Sequence, residues 1–315
     1  MAVAPMNLIA TAVPVLNTLG LRVRVGLSSD DPIVHRRQPP QAYRAHAAFY
    51  RPDGRLLERL DLGVIPPRRR RMIDVSELAG RYGLTEDHLV TVHRMPEPSA
   101  APRSGWRLLG DRVRAYDYSF YRTYIEYAWR DRPSGNGSVV YEIPPAMNER
   151  REGQRPSTTL SFTTKIWLSE RARTYVALIN CSTDPGYALT STYGYGFHAP
   201  DGSTVAAGRV QIPPFGVRVL DAHALIPADE RRRLTDPADG AAICSFVGYC
   251  LGAGTVVVVL NLDRDGGGVS VEHTHPAQAY LMPGSLENPA RLSARIKAEA
   301  AAAWHARLSA EEVAA

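Results

Sequence analysis

The sequence feature that most constrains the fold is a turn motif that occurs twice, at corresponding places in the chain. Pro52-Asp53-Gly54 follows the aromatic pair Phe49-Tyr50, and Pro200-Asp201-Gly202 follows Phe197-His198. Because proline fixes φ and glycine accepts a positive φ, each triplet predicts a tight turn between two strands.

The correspondence continues downstream of the two turns in the same order. Ile65-Pro66-Pro67 parallels Ile212-Pro213-Pro214, and Arg71-Met72-Ile73-Asp74 parallels Arg218-Val219-Leu220-Asp221. Several matches in one order indicate a structural repeat rather than coincidence. We therefore predict an internal duplication, with a first domain at residues 1–150 and its duplicate at residues 151–282.

The segments between the turns have the patterns of β-strands. Residues 21–25 alternate apolar and basic side chains, whereas residues 175–179 and 255–260 are continuous apolar runs typical of central strands. Turn signals recur at the spacing of a β-sandwich. The predicted fold class is all-β, with two tandem related antiparallel β-sandwich domains and a short C-terminal α-helix.

The C-terminal tail, residues 283–315, differs from the rest of the chain. Asn288 is a suitable helix cap, Pro289 fits a first helical turn, and residues 291–308 are rich in alanine. We predict one helix there, which either docks on its own domain or mediates dimerisation or partner docking.

Composition limits the class of protein. Of 315 residues, 44% are hydrophobic and 22% charged, which is typical of a globular protein, and the net charge of +5 is too diluted to indicate a nucleic-acid partner. The three cysteines lack metal or redox spacing, which favours reduced thiols and a cytoplasmic location. No apolar run predicts a transmembrane segment.

The repeat unit resembles the small β-sandwich of the sensory rhodopsin transducer family. The residues that carry the resemblance are Asn180, residues 182–187, residues 195–202, Ile212-Pro213, residues 218–221 and residues 256–263. The resemblance covers the second domain and, more weakly, the first. It implies a non-catalytic binding or signalling module that oligomerises, and it leaves the ligand open.

A His-Thr-His element near the end of the second domain departs from that family's pattern. On a regular strand His273 and His275 share one face, and paired imidazoles can hold zinc, copper or iron. Glu142 or His93 is the first candidate for a third ligand, and His223 and Asp221 are further candidates. The alternative is that both histidines cap a strand end, as the following Pro276 indicates.

An aromatic strand in the first domain is the second departure. With a period of two, one face carries aromatic rings together with a cation and a carboxylate, which suits stacking on a sugar or planar ligand. These candidate ligand-binding residues are Tyr118, Phe120, Arg122, Tyr124 and Glu126. The alternative is a packing surface between sheets or domains.

Three functions remain open from the sequence. The leading hypothesis is a non-catalytic, cytoplasmic protein that binds a small molecule or a protein partner, forms homo-oligomers and needs no cofactor. The second is a metal-dependent enzyme with His273 and His275 as ligands. The third is a structural subunit that docks through the C-terminal helix.

Overall fold

A computed structural model shows two compact units built almost entirely from β-strands. It describes residues 9–28, 42–96, 123–133, 135–140, 158–181, 187–238, 240–251, 255–263, 265, 267–273 and 275–276. The first unit comprises Met1–Glu149 with Cys181–Tyr187 and Phe215–Val217. The second comprises Arg150–Asn180, Ala188–Pro214 and Arg218–Ala315.

The first unit contains two four-stranded antiparallel sheets, ordered β1-β6-β3-β4 and β5-β2-β7-β8. Its strands are β1 (Ile9–Val15), β2 (Leu21–Ser28), β3 (Tyr43–Tyr50), β4 (Leu56–Ile65), β5 (Arg70–Asp74), β6 (His88–Pro96), β7 (Tyr124–Trp129) and β8 (Gly137–Val140). A 3-10 helix (Asn17–Leu19) follows β1, and helix α1 (Val75–Arg81) follows β5.

The two sheets of the first unit enclose an apolar core. The alternation predicted for β2 places Leu21, Val23 and Val25 in that core, where all three are fully buried. Tyr127 on β7 is also fully buried, and its hydroxyl donates a 3.0 Å hydrogen bond to the carbonyl oxygen of Pro14 on β1. This bond links the two sheets. The predicted antiparallel β-sandwich architecture is confirmed.

The second half of the described chain forms one nine-stranded sheet system. Its strands are β9 (Thr158–Leu168), β10 (Ala172–Asn180), β11 (Ser191–His198), β12 (Thr204–Ile212), β13 (Gly216–Asp221), β14 (Ala242–Leu251), β15 (Thr255–Asp263), β16 (Val269–His273) and β17 (His275–Pro276). Helices α2 (Ala222–Leu225) and α3 (Ala228–Leu234) follow β13.

Strand order in the second half repeats that of the first. The path β12-β11-β14-β9 continues through β10-β15-β16, with β13 beside β10 and β17 beside β9. Advancing every strand number of the first unit by eight therefore reproduces all its pairings, β9-β14-β11-β12 and β13-β10-β15-β16. The continuous apolar runs predicted as central strands are the buried β10 and β15.

The repeated sequence motifs adopt the same backbone conformation in both halves. Gly54 and Gly202 each have φ of 84°, and their N–H groups donate to the carbonyl oxygens of Arg51 (2.8 Å) and Ala199 (2.9 Å). The predicted turns are therefore present. After each Ile-Pro-Pro element, one non-glycine residue has a left-handed φ, namely Arg68 at 59° and Phe215 at 55°.

An aspartate at the end of β5 and an aspartate at the end of β13 have the same two roles. Asp74 accepts from the N–H of Glu77 at the start of α1 (2.9 Å) and forms an ion pair with Arg22 on β2 (2.5 Å). Asp221 accepts from the N–H of His223 at the start of α2 (2.9 Å), and its other oxygen lies 3.6 Å from Arg173 on β10. Each carboxylate thus attaches a helix start to a neighbouring strand.

The C-terminal helix predicted at residues 283–315 lies outside the described residues. Within the described part of the chain, no helix is long and apolar enough to cross a membrane. Cys181, Cys244 and Cys250 are free thiols, and all three are buried.

We predict that Asp74→Ala and Asp221→Ala each lower the free energy of unfolding by about 1–2 kcal/mol, because each removes a helix cap and an ion pair. Chemical denaturation of the full chain measures the change. Asp131→Ala is the control, since the Asp131 side chain is 72% exposed and pairs with the adjacent Arg132. Equal effects for all three variants would contradict the proposed role of the caps.

Candidate ligand-binding groove

A groove of about 1520 Å³ lies in the second unit, beside α2 and α3. One side is formed by the end of β9 and by the turn that leads into β10. Residues of α2 and α3 form another side, and Asp263 with Asp265 completes the lining. The groove therefore combines rigid strand ends with two short helices.

Asp221 positions the first of these helices. Its Oδ1 accepts hydrogen bonds from the N–H groups of His223 (2.9 Å) and Ala224 (3.2 Å). Such capping satisfies N–H groups that a helix start leaves without partners. Since the same carboxylate pairs with Arg173 on β10, α2 begins at a fixed place beside the sheet.

Arg231 then holds α3 against α2. Its Nη1 donates to the carbonyl oxygens of His223 and Ile226, the latter at 2.6 Å. At the end of α3, the hydroxyl of Thr235 donates to the carbonyl oxygen of Arg231 at 2.7 Å. These contacts satisfy carbonyl groups at the C-terminal ends of α2 and α3. They also hold the two helices together on this side of the groove.

An exposed tryptophan lies on the strand side of the groove. Trp167 is 42% exposed, whereas its neighbours on β9, Ile166 and Leu168, are buried. The period of two on a strand therefore directs Trp167 away from the core. Directly opposite it on β14, Ile243 is 47% exposed, so two large apolar side chains lie next to each other in contact with solvent.

The charged groups of the groove are balanced and partly paired. Three arginines line it, and so do three carboxylates: Arg171, Arg231, Arg232, Glu170, Asp263 and Asp265. Arg171 Nη2 lies 3.1 Å from Asp263 Oδ2, and the N–H of Asp265 donates to Asp263 Oδ1 at 3.0 Å. The hydrogen bond from Arg171, followed by that from Asp265, lowers the pKa of Asp263.

His223 is the histidine among the side chains that line the groove, and imidazole groups ordinarily titrate near neutral pH. Its pKa is lowered first by partial burial and then by the positive charges of Arg231 and Arg173, although Asp221 acts in the opposite direction. The imidazole is therefore mainly uncharged at neutral pH. The groove then carries no net charge from its side chains.

The predicted aromatic surface of the first unit falls only partly within the described residues. Tyr118, Phe120 and Arg122 lie outside them, whereas Tyr124 and Glu126 are on β7. The ring of Tyr124 covers Gly26, and its hydroxyl lies 2.7 Å from the sulfur of Met72. A ligand role for this face stays a prediction.

Glu126 has partners within its own unit. Its Oε1 accepts a 2.8 Å hydrogen bond from Nε of Arg24 on β2 and a 3.1 Å bond from the side-chain amide of Asn136. The carboxylate of Glu126 is therefore bonded to side chains of its own unit.

The two histidines of the predicted metal site lie on different strands, which pair with different neighbours. His273 ends β16 and pairs with Val258, whereas His275 begins β17 and pairs with Phe162 of β9. The side chains of both histidines, and all of Glu142, lie outside the described residues. Within the residues that are described, no three His, Cys, Asp or Glu side chains form a metal-binding group. The metal site stays a prediction.

His93, another candidate third ligand, belongs to a pair of histidines in the first unit. It lies directly opposite His46 on the neighbouring strand β3, and its Nε2 is 2.7 Å from the hydroxyl of Thr91. His93 Nδ1 and His46 Nε2 are buried and find no hydrogen-bond partner among the described residues. Burial, then the charges of Arg59 and His46, lower the pKa of His93 to about 4.

We predict that His93 makes the first unit sensitive to acid. Because its folded-state pKa of about 4 lies below its ordinary value of 6.5, the unfolded chain gains the proton first, so stability decreases as the pH falls from about 6.5 to about 4 and levels off below that. A shift of this size corresponds to roughly 3 kcal/mol. His93→Gln should therefore flatten the pH dependence of unfolding in this interval.

The measurement is denaturant unfolding of the full chain between pH 7 and pH 4. His223→Gln is the control, because His223 is much less buried and should have a smaller effect. An unchanged pH dependence in His93→Gln would show that His93 accepts its proton without cost in the folded protein.

Comparisons with known proteins leave the class of this chain open. No family model matches the chain, and no curated protein sequence does. Solved structures that it matches include a β-glucuronidase from glycoside hydrolase family 2, with 9% identity, 84% of this chain and 23% of that chain covered, and a TM-score of 0.16. A glycosyl hydrolase family 2 member from Bacteroides cellulosilyticus is 8% identical, with 85% and 28% covered and a TM-score of 0.19.

A third match is a Ruminococcus gnavus β-glucuronidase, with 9% identity, 84% and 34% coverage and a TM-score of 0.18. The chain spans about a quarter to a third of the length of these proteins. At such TM-scores the similarity carries no argument about activity.

Sequence reasoning missed the groove and its tryptophan. Residues 165–169, Lys-Ile-Trp-Leu-Ser, contain three successive apolar side chains, so the outward position of Trp167 was not evident from alternation alone. The structure resolves the alternation, because Ile166 and Leu168 are buried and Trp167 between them is exposed.

Proposed function

We propose that this chain is a non-catalytic binding protein and that the groove of the second unit is its ligand-binding surface. The observation that carries this proposal is Trp167, a large aromatic side chain that is 42% exposed and lines a groove of about 1520 Å³. Ligand sites combine apolar or aromatic surface with a few positioned polar groups, and this groove offers both.

The paired charged groups of the groove suit hydrogen bonding to a ligand. The pKa of Asp263 is lowered by Arg171, and the guanidinium of Arg231 bonds the carbonyl groups of His223 and Ile226. Such groups can orient a ligand by hydrogen bonding while their own protonation stays constant.

Internal duplication is a further part of this proposal. Its support is the repeated strand order, the paired left-handed positions Arg68 and Phe215, and the shared Arg–Asp pairs at the helix starts. In such a protein the shared residues maintain two similar scaffolds. The residues that differ, Trp167 among them, give one copy its binding surface.

Self-association and a cytoplasmic location complete the proposal. The three free and buried cysteines are typical of a reducing compartment. Light scattering of the full chain over a range of concentrations tests self-association, for which we expect a mass greater than the 34.6 kDa of one chain. A mass of one chain at every concentration would contradict it.

The binding function predicts a specific pattern in thermal unfolding. Among a chemically diverse library of metabolites, at least one compound should raise the unfolding midpoint of the wild-type chain but not that of Trp167→Ala, because a ligand that binds the folded state stabilises it and this ligand needs Trp167. Mass spectrometry should recover that compound unchanged after incubation.

Trp129→Ala is the matched control, since it removes the same side chain from β7 of the first unit. It should retain the ligand-dependent increase. A ligand that stabilises wild type and Trp167→Ala equally would exclude the groove, and a chemically converted ligand would exclude a non-catalytic role.

A further inference from the structure

The side chains that line the groove have opposite charges in equal number. Three arginines and three carboxylates line it, and Arg171 and Asp263 are in direct contact at 3.1 Å. A strongly anionic or cationic ligand would meet as many repulsive as attractive charges. The lining instead provides closely spaced donors and acceptors, which suit an uncharged ligand with many hydroxyl groups.

Trp167 adds the second element of such a site. Its indole is exposed at the groove, and the side chain of Ile243 beside it enlarges the apolar surface. The face of an aromatic ring is electron-rich and attracts the weakly positive hydrogens of C–H groups. A pyranose ring presents such C–H groups on its flat face and hydroxyl groups around its edge.

The size of the groove favours several such rings. Sites for drug-sized ligands are roughly 300–1,000 Å³, and this groove is larger, at about 1520 Å³. From these features we infer that the groove binds a neutral oligosaccharide. Trp167 stacks on one sugar ring, while Arg171, Asp263 and residues of α3 hydrogen-bond to hydroxyl groups. This inference rests on the proposed binding function.

Titration of the full chain with neutral hexasaccharides tests the inference. The probes are maltohexaose, cellohexaose, xylohexaose and laminarihexaose, with hexagalacturonic acid as an anionic comparison, and isothermal calorimetry measures affinity. We expect at least one neutral probe to bind saturably with a Kd below about 10 mM, and hexagalacturonic acid to bind more weakly.

Substitutions then test whether the oligosaccharide binds in the groove beside Trp167. Trp167→Ala should weaken the affinity at least about tenfold, and Trp167→Phe should weaken it less because a flat ring is retained. Trp129→Ala should leave it unchanged. Circular dichroism checks that each variant is folded, and Ile243→Ala, at the 47% exposed neighbour, provides a second variant that should also weaken binding.

Three results would overturn the inference. They are no binding of any neutral probe, tighter binding of the uronic acid, or equal affinity in wild type and Trp167→Ala. If any of these results occurs while a compound of the metabolite library still stabilises wild type but not Trp167→Ala, the carbohydrate assignment fails and the binding function stands. If no ligand of any class depends on Trp167, both fail.

Discussion

The carboxylate of Asp221 is the contact on which the geometry of the groove depends. It caps α2 through the N–H groups of His223 and Ala224 and pairs with Arg173 on β10. Arg231 then attaches α3 to α2 through two carbonyl groups. The wall opposite Trp167 is therefore connected, contact by contact, to a central strand of the sheet.

The first unit contains the same aspartate and arginine contacts, which indicates that they serve the fold and not the groove alone. Asp74 caps α1 and pairs with Arg22, so the anchoring carboxylate and its arginine occur in both repeats. The helix that follows differs, because α1 is a single helix whereas α2 and α3 are two. The two halves thus share the anchoring carboxylate and arginine but differ in the segments that follow.

Sequence alone was sufficient for the fold class and for several local elements, since turn chemistry and apolar periodicity are local properties. The Pro-Asp-Gly turns, the central strands β10 and β15 and the all-β class followed from such patterns. Sites assembled from several strands were harder. The partner of Glu126 is Arg24, which is distant in sequence, and no local pattern joins them.

The histidines illustrate the same difficulty. Sequence spacing identified His273 and His275 by assuming one regular strand, yet the two residues pair with different strands. His46 and His93 lie directly opposite each other although they are far apart in sequence, and their pairing depends on the register between β3 and β6. Register is fixed by packing and turn lengths, which a single sequence reveals only indirectly.

Oxidation of individual tryptophans measures the central claim, that ligand occupies the groove beside Trp167. The full chain is exposed to hydroxyl radicals with and without a saturating ligand, and mass spectrometry gives the oxidation rate of each tryptophan. The account predicts that ligand slows oxidation of Trp167 and leaves Trp129 unaffected. Oxidation of Trp167 at the same rate in the saturated and free protein would contradict it.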